Sequence, residues 1–243
     1  MKKFELTAES KINIFGKKLF RIKALISFGS VEEGETGGWV EKEENLNQSG
    51  NAWVSGNARV YGDARVSGDA EVSGDAEVSG NARVSGNARV SGNARVYGDA
   101  RVSGDAEVSG DAEVSGNARV SGNARVSGNA RVYGDARVYG DAEVYGDAEV
   151  SGDAEVSGNA RVYGDARVYG DADYTTIHGF GTQFRTTTFF RCKDKQIRVS
   201  CGCFFGTIPE FREQVKNTRK GKIAEEYLMI ADLMEKHFAE EAK

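Results

Sequence analysis

From Asn51 to Gly170 the chain repeats one six-residue unit twenty times without a gap: Asn/Asp-Ala-Arg/Glu-Val-Ser/Tyr-Gly, with Trp53 replacing the charged residue in the first unit. Within each unit Ala and Val flank one charge, as in Ala64-Arg65-Val66. That is strand alternation, with two small apolar groups turned inward and one charge turned outward. Ser-Gly-Asn or Ser-Gly-Asp follows, and this is turn chemistry. Glycine accepts a positive φ, and Asn or Asp bonds its own backbone. Each hexad therefore predicts one short strand and one corner.

The outward charges say how many hexads close a coil. Every third hexad gives Glu71, Arg89, Glu107, Arg125, Glu143, Arg161. The next column gives Arg59, Glu77, Arg95, Glu113, Arg131, Glu149, Arg167. Both alternate throughout. Stacked strands sit roughly 4.8 Å apart, where two like charges repel by about 0.9 kcal/mol even at the dielectric of water. Alternation removes that cost and substitutes cross-strand ion pairs. The corner column Asn51, Asp69, Asn87, Asp105, Asn123, Asp141, Asn159 alternates as well. A two-sided coil would stack Glu77 on Arg65 but Arg95 on Arg83, with no such regularity. The spacing thus predicts an all-β, three-sided parallel solenoid with 18-residue coils. Residues 65–100 and 101–136 are identical, which points to duplication of whole double coils. The array predicts a rod about 32 Å long, with only Ala and Val inside and no room there for a ligand. Function is expected on the outer faces or at the ends.

Composition supports a repeat protein. Of 243 residues 39% are hydrophobic, 31 are Gly and one is Pro. Stacked repeats need only a narrow core, so this low apolar content does not imply disorder. A net charge of -5 argues against bulk attraction to nucleic acid or anionic membrane. No apolar run is long enough to span a membrane. The start turns polar at Thr7-Ala8-Glu9-Ser10, unlike a signal peptide. With three cysteines, Cys192, Cys201 and Cys203, all near one end, the expectation is a reducing cytoplasm.

The flanks divide the chain into residues 1–50, an N-terminal β cap with irregular first coils; 51–173, the repeat; and 174–243, a small α+β domain ending in a helix. Ile12-Asn13-Ile14-Phe15 and Leu19-Phe20-Arg21-Ile22 read as a hairpin turning at Gly16-Lys17-Lys18. A second hairpin is expected over residues 189–199. Helices are expected from about Glu210 to Val215, after Pro209, and from Lys222 to Ala239. The last carries a stripe of Ile223, Tyr227, Ile230, Met234 and Phe238, either packed on its own domain or forming a dimer contact.

The Val-Ser-Gly-Asn-Ala-Arg unit resembles the hexapeptide-repeat signature, and the resemblance implies a left-handed parallel β-helix. Leu19-Phe20-Arg21-Ile22-Lys23-Ala24-Leu25 with Gly37-Gly38-Trp39-Val40-Glu41 resembles the leader of hexapeptide-repeat proteins of phages and prophages, often labelled polymer-forming or uncharacterised. The tail Phe184-Arg185-Thr186-Thr187-Thr188-Phe189-Phe190 with Cys201-Gly202-Cys203-Phe204 does so too. This implies a phage-encoded protein acting in the bacterial host cytoplasm, and implies no reaction. Acyltransferases of the repeat family use a general-base His at a subunit groove, and its carbonic anhydrases bind zinc through three histidines. Here the only histidines, His178 and His237, lie beyond the repeat. An ice-binding solenoid would show flat Thr arrays instead of Arg and Glu.

Four groups of residues are candidates for chemistry. The third outward column reads Arg65, Arg83, Arg101, Arg119, Arg137, then Glu155 and Asp173. It is either a site for an anionic partner or a solvated, laterally paired face. Tyr133, Tyr139, Tyr145, Tyr163 and Tyr169 stand at corners, as an aromatic ridge or as simple covers. Arg185, Thr186, Thr187 and Thr188, near Gly179-Phe180-Gly181-Thr182, suit a phosphate or nucleotide, or else form an edge strand. His178 and the three cysteines fit no standard zinc spacing, and no cofactor is expected. The reading is a non-enzymatic scaffold that binds a host or phage macromolecule or self-associates as a homo-oligomer. The alternative is a protein that sequesters an anionic, nucleotide-like small molecule against a host defence.

Overall fold

The computed structural model describes residues 2–239; Met1 and residues 240–243, which the outer limits of the end segments include, lie outside the described residues. The strands β1 (Phe4–Ile12), β2 (Lys18–Ala24) and β3 (Thr36–Val40) open the chain. Twenty two-residue strands follow, β4 (Trp53–Val54) to β23 (Arg167–Val168), one per hexad. Every pairing within the array joins residues 18 apart in parallel, as in Arg89 with Glu107 and Val90 with Val108. Three faces result. Face 1 is a ten-stranded sheet, β1-β2-β3-β5-β8-β11-β14-β17-β20-β23. Face 2 has seven strands from β4 to β22, and face 3 has six from β6 to β21. This is the expected three-sided solenoid of about seven coils. The Ala and Val of every hexad from Ala58 to Val168 are fully buried, and each valine contributes roughly 1.5–3 kcal/mol of burial.

The corners follow from the same chemistry. In Ser91-Gly92-Asn93-Ala94 the Ala94 N–H reaches back to the Ser91 carbonyl at 3.3 Å. Gly92 takes the first central position with φ +68°, a place that tight turns of this hand reserve for glycine. Stacking adds a second requirement. A Cβ on Gly86 would lie 2.9 Å from the backbone N and O of Gly104, one coil on. The corner alternation is a hydrogen-bond ladder: Asn81 donates to Asp99 (3.0 Å), Asn87 to Asp105 (2.8 Å) and Asn117 to Asp135 (2.9 Å).

Bonding between coils is polar. The N–H groups of Arg83, Ser85 and Asn87 donate to the carbonyls of Ala100, Val102 and Gly104 in the following coil, at 2.8–3.0 Å. The first coil therefore has orphan carbonyls and the last has orphan N–H groups, and each end needs a partner. At the N-terminal end the buried Lys3 ammonium donates to Ala52 O (2.9 Å) and Gly50 O (3.2 Å). The buried Asn45 amide donates to Gly62 O (3.1 Å) and Ala64 O (2.9 Å). At the other end Thr188 Oγ1 accepts the Arg161 N–H at 3.1 Å.

The N-terminal hairpin exists, but its turn is Asn13–Lys17, not Gly16-Lys17-Lys18. Asn13 Oδ1 accepts the N–H groups of Phe15 (3.0 Å) and Lys17 (2.9 Å). This side-chain turn lifts Ile14 and Phe15 out of the strand and leaves them exposed.

After the array, β24 (Tyr174–Phe180), β25 (Arg185–Arg191), β26 (Ile197–Cys201) and β27 (Phe204–Thr207) form an antiparallel sheet in that order. Helices α1 (Ile208–Thr218) and α2 (Gly221–His237) cover it. α1 extends past the expected Glu210–Val215 at both ends, and α2 starts one residue earlier than expected and ends at His237 instead of Ala239. Thr207 caps α1 through the Glu210 N–H, and Glu210 returns a bond to the Thr207 N–H at 2.7 Å. The strand β25 is internal, paired on both sides, rather than an edge. Its alternation joins two cores: Phe190 enters the solenoid core, and Phe189 enters a second core with Phe211, Tyr227, Ile230, Met234 and Phe238. The α2 stripe thus packs on its own domain.

Candidate functional site

The arginine column stacks as the period requires. Register pairs Arg65 with Arg83, Arg83 with Arg101, Arg101 with Arg119 and Arg119 with Arg137, before Arg137 meets Glu155. All five are exposed. Arg137 bonds Glu155 at 2.7 Å. Among the described residues, no carboxylate lies within ion-pair distance of Arg65, Arg83, Arg101 or Arg119. The neighbouring acids are already engaged: Lys42 holds Asp63 at 2.7 Å, Asn81 donates to Asp99 and Asn117 to Asp135. The Lys42 ammonium keeps the Asp63 carboxyl below the usual carboxylate range. A groove of about 690 Å³ at the foot of the ladder brings Arg65 and Arg83 beside Glu43, Glu44 and Gln48.

The other two faces are internally neutralised. Face 2 links Glu71–Arg89 (3.8 Å), Arg89–Glu107 (3.9 Å), Glu107–Arg125 (3.6 Å) and Glu143–Arg161 (3.2 Å). Face 1 links Arg59–Glu77 (3.3 Å), Arg95–Glu113 (3.6 Å) and Arg167–Glu149 (3.3 Å). Their hexads come in two kinds, Asp-Ala-Glu and Asn-Ala-Arg, in alternate coils up to Glu149 on face 1 and Arg161 on face 2. Face 3 instead mixes Asp-Ala-Arg with Asn-Ala-Arg below Glu155.

The segment Arg185–Thr188 does not form one site. Strand alternation sends Thr188 to the solenoid end, where it takes the Arg161 N–H, and Thr187 toward the helices, where it donates to Cys201 Sγ at 3.2 Å. Both are buried. Thr186 meets His178 Nδ1 at 3.4 Å. Arg185 alone borders a pocket, with its guanidinium over Gly202. That pocket also takes Arg219 and Gln214, which no local pattern singled out, and Tyr227, which the sequence marked only as part of the α2 apolar stripe. They come from the end of α1 and from α2, and only packing brings them to Arg185.

The cysteines separate. Cys192 is 2% exposed in the solenoid core, and burial together with Asp165 pushes its thiol up to about 12. Cys201 and Cys203 flank Gly202 at the pocket. Among the described residues no three His, Cys, Asp or Glu side chains are grouped to hold a metal ion. Tyrosines mostly cover corners. The Tyr139 hydroxyl donates to Glu155 at 3.3 Å, and that of Tyr61 to Glu77. Tyr145 and Tyr163 stack at 4.6 Å, and Tyr163 meets Phe205 at 4.3 Å, carrying an aromatic column into the C-terminal domain. Burial pushes the Tyr145 phenol up to about 12.

Two family models match parts of the chain. Residues 90–185 match Bactofilin, described as polymer-forming cytoskeletal. Residues 52–68, 58–74 and 76–92 match the YdcK Beta solenoid repeat. No curated protein matches the chain. With the fold, these matches make it a repeat β-helix protein. No helix of the described residues is long and apolar enough to cross a membrane.

Proposed function

We propose that this chain is a non-enzymatic β-solenoid scaffold that assembles with copies of itself through an outer face. The observation that carries the reading is the charge order of face 2. Its six members begin with Glu71 and end with Arg161. Let two copies meet about a twofold axis lying in the interface, perpendicular to the rods. Glu71 then faces Arg161 of the second copy, Arg89 faces Glu143, and Glu107 faces Arg125. The corners agree, since Asp69 meets Asn159, Asn87 meets Asp141 and Asp105 meets Asn123. No shift is needed. Face 1 has seven members with Arg at both ends, so it matches only after a shift of one coil. A parallel pair in register would set like on like, and face 3 would oppose Arg83 to Arg137 and Arg101 to Arg119.

The ends are poor joints. Lys3 and Asn45 occupy carbonyls at one end, and the C-terminal domain sits on the other. Partial likeness to a polymer-forming family supports assembly as well. Exposed ion pairs contribute only about 0.2–1 kcal/mol each, so association through face 2 is weak, concentration-dependent and salt-sensitive. The arginine ladder is then the side left for a different, anionic macromolecule of phage or host.

Sedimentation velocity at tens of micromolar tests this. Dimers or larger species are expected at low salt. They should dissociate near 1 M salt, where the Debye length is about 3 Å, and in the variant Glu107→Arg. A monomer at low salt refutes the proposal.

A further inference from the structure

From the pocket beside Arg185 we infer that the C-terminal domain binds a small ring-bearing anion, an aromatic or heterocyclic ring carrying a phosphate or carboxylate. The pocket has a volume of about 410 Å³, within the range of small-molecule sites, roughly 300–1,000 Å³. Its floor is apolar: Phe204, Phe211 and the ring of Tyr227. Phe211 meets Phe204 at 5.5 Å and Tyr227 edge-on at 5.8 Å, so the floor is a fixed aromatic surface. Its rim carries two cations, Arg185 and Arg219, and among the described residues no acidic side chain lines it. Neither arginine has an ion pair among the described residues. Two guanidiniums without carboxylates above an aromatic floor suit a planar ring with an anionic arm.

The pocket is built rather than incidental. Gly181 takes φ +71° in the β24–β25 turn, and a Cβ there would come 2.6 Å from the Tyr227 hydroxyl. Glycine thus admits Tyr227, whose hydroxyl donates to Phe180 O at 3.2 Å. Gly202, at φ +62° in the β26–β27 turn, lies beneath the Arg185 Nη1, the far end of a flexible side chain that swings aside for an added Cβ. Burial, and after it Cys201, raises the Tyr227 phenol above its ordinary range, so it stays a neutral donor that does not oppose an anion.

Anilinonaphthalene sulfonate, a ring-bearing anion that brightens in apolar sites, is the probe for the full chain. Saturable binding is expected. The double variant Arg185→Gln/Arg219→Gln should weaken it about tenfold or more, through two lost charge-assisted contacts. Both side chains are exposed, so the unfolding midpoint should hold. Gln214→Trp, which fills the mouth from exposed α1 surface, should weaken it similarly and decides the matter if the double variant does not fold. Adenosine monophosphate and phenylacetate serve as competitors, and the one that displaces the probe tells a phosphate-bearing from a carboxylate-bearing ligand. Unchanged binding in the variants, or displacement by neither competitor, overturns the assignment.

Discussion

Replacing Arg101 by glutamate is expected to stabilise the protein while weakening its hold on polyanions. Arg101 stands between Arg83 and Arg119 in strict register. Two like-charged contacts at roughly 4.8 Å strand spacing cost about 0.9 kcal/mol each at the dielectric of water. Exposed guanidiniums splay apart and are screened, so about half of that is realistic. The substitution removes both contacts and creates two opposite-charge pairs like Glu107–Arg125, which sits at 3.6 Å in the same coil geometry. Such pairs contribute about 0.2–1 kcal/mol each. The net gain is about 1–3 kcal/mol. Corner chemistry is unchanged, because a glutamate following Asp99-Ala100 reproduces the order of the native hexad Asp105-Ala106-Glu107. Urea unfolding followed by circular dichroism, at about 50 mM and 1 M salt, reads the effect. A midpoint raised at low salt and converging on wild type at high salt is expected. Retention on immobilised heparin, a polyanion probe, should fall in parallel. A variant less stable than wild type, or a gain indifferent to salt, would refute the charge-stacking argument.

Gly86→Ala should cost about 2 kcal/mol or more, because the residue is left-handed and its new methyl would press on the Gly104 backbone; an unchanged urea midpoint would contradict the stacked corner. Lys3 is pushed down to about 8 by burial, with Asp69 acting against it. Its folded form therefore releases a proton before the unfolded chain does, and stability should rise with pH from about 8 toward the ordinary value of 10.5. That rise should vanish in Lys3→Met, and unfolding midpoints across the range check it. Iodoacetamide at pH near 8 should label the exposed Cys203 and spare the buried, poorly ionised Cys192; equal labelling by intact-mass analysis would count against that placement.

What the amino-acid order determined alone is the rod. In a stacked repeat each side chain meets its counterpart at one constant separation, so strand alternation, the 18-residue coil and every vertical neighbour of Glu107 or Arg101 can be read without coordinates. The Asn–Asp alternation was legible in the same way, although only geometry shows it to be a hydrogen-bond ladder. The ends were not legible. Their partners are set by the direction of bonding between coils, which composition does not encode, and so Lys3 and Asn45 carried no local signal. The C-terminal domain lacks a repeat, and its contacts join segments far apart in the chain. One strand's pleat turned Thr188 to the rod and Thr187 to the helices, while packing of α1 and α2 brought Arg219 and Tyr227 to Arg185. Periodicity predicts neighbours where separation is constant; elsewhere the shape of the packed core chooses them.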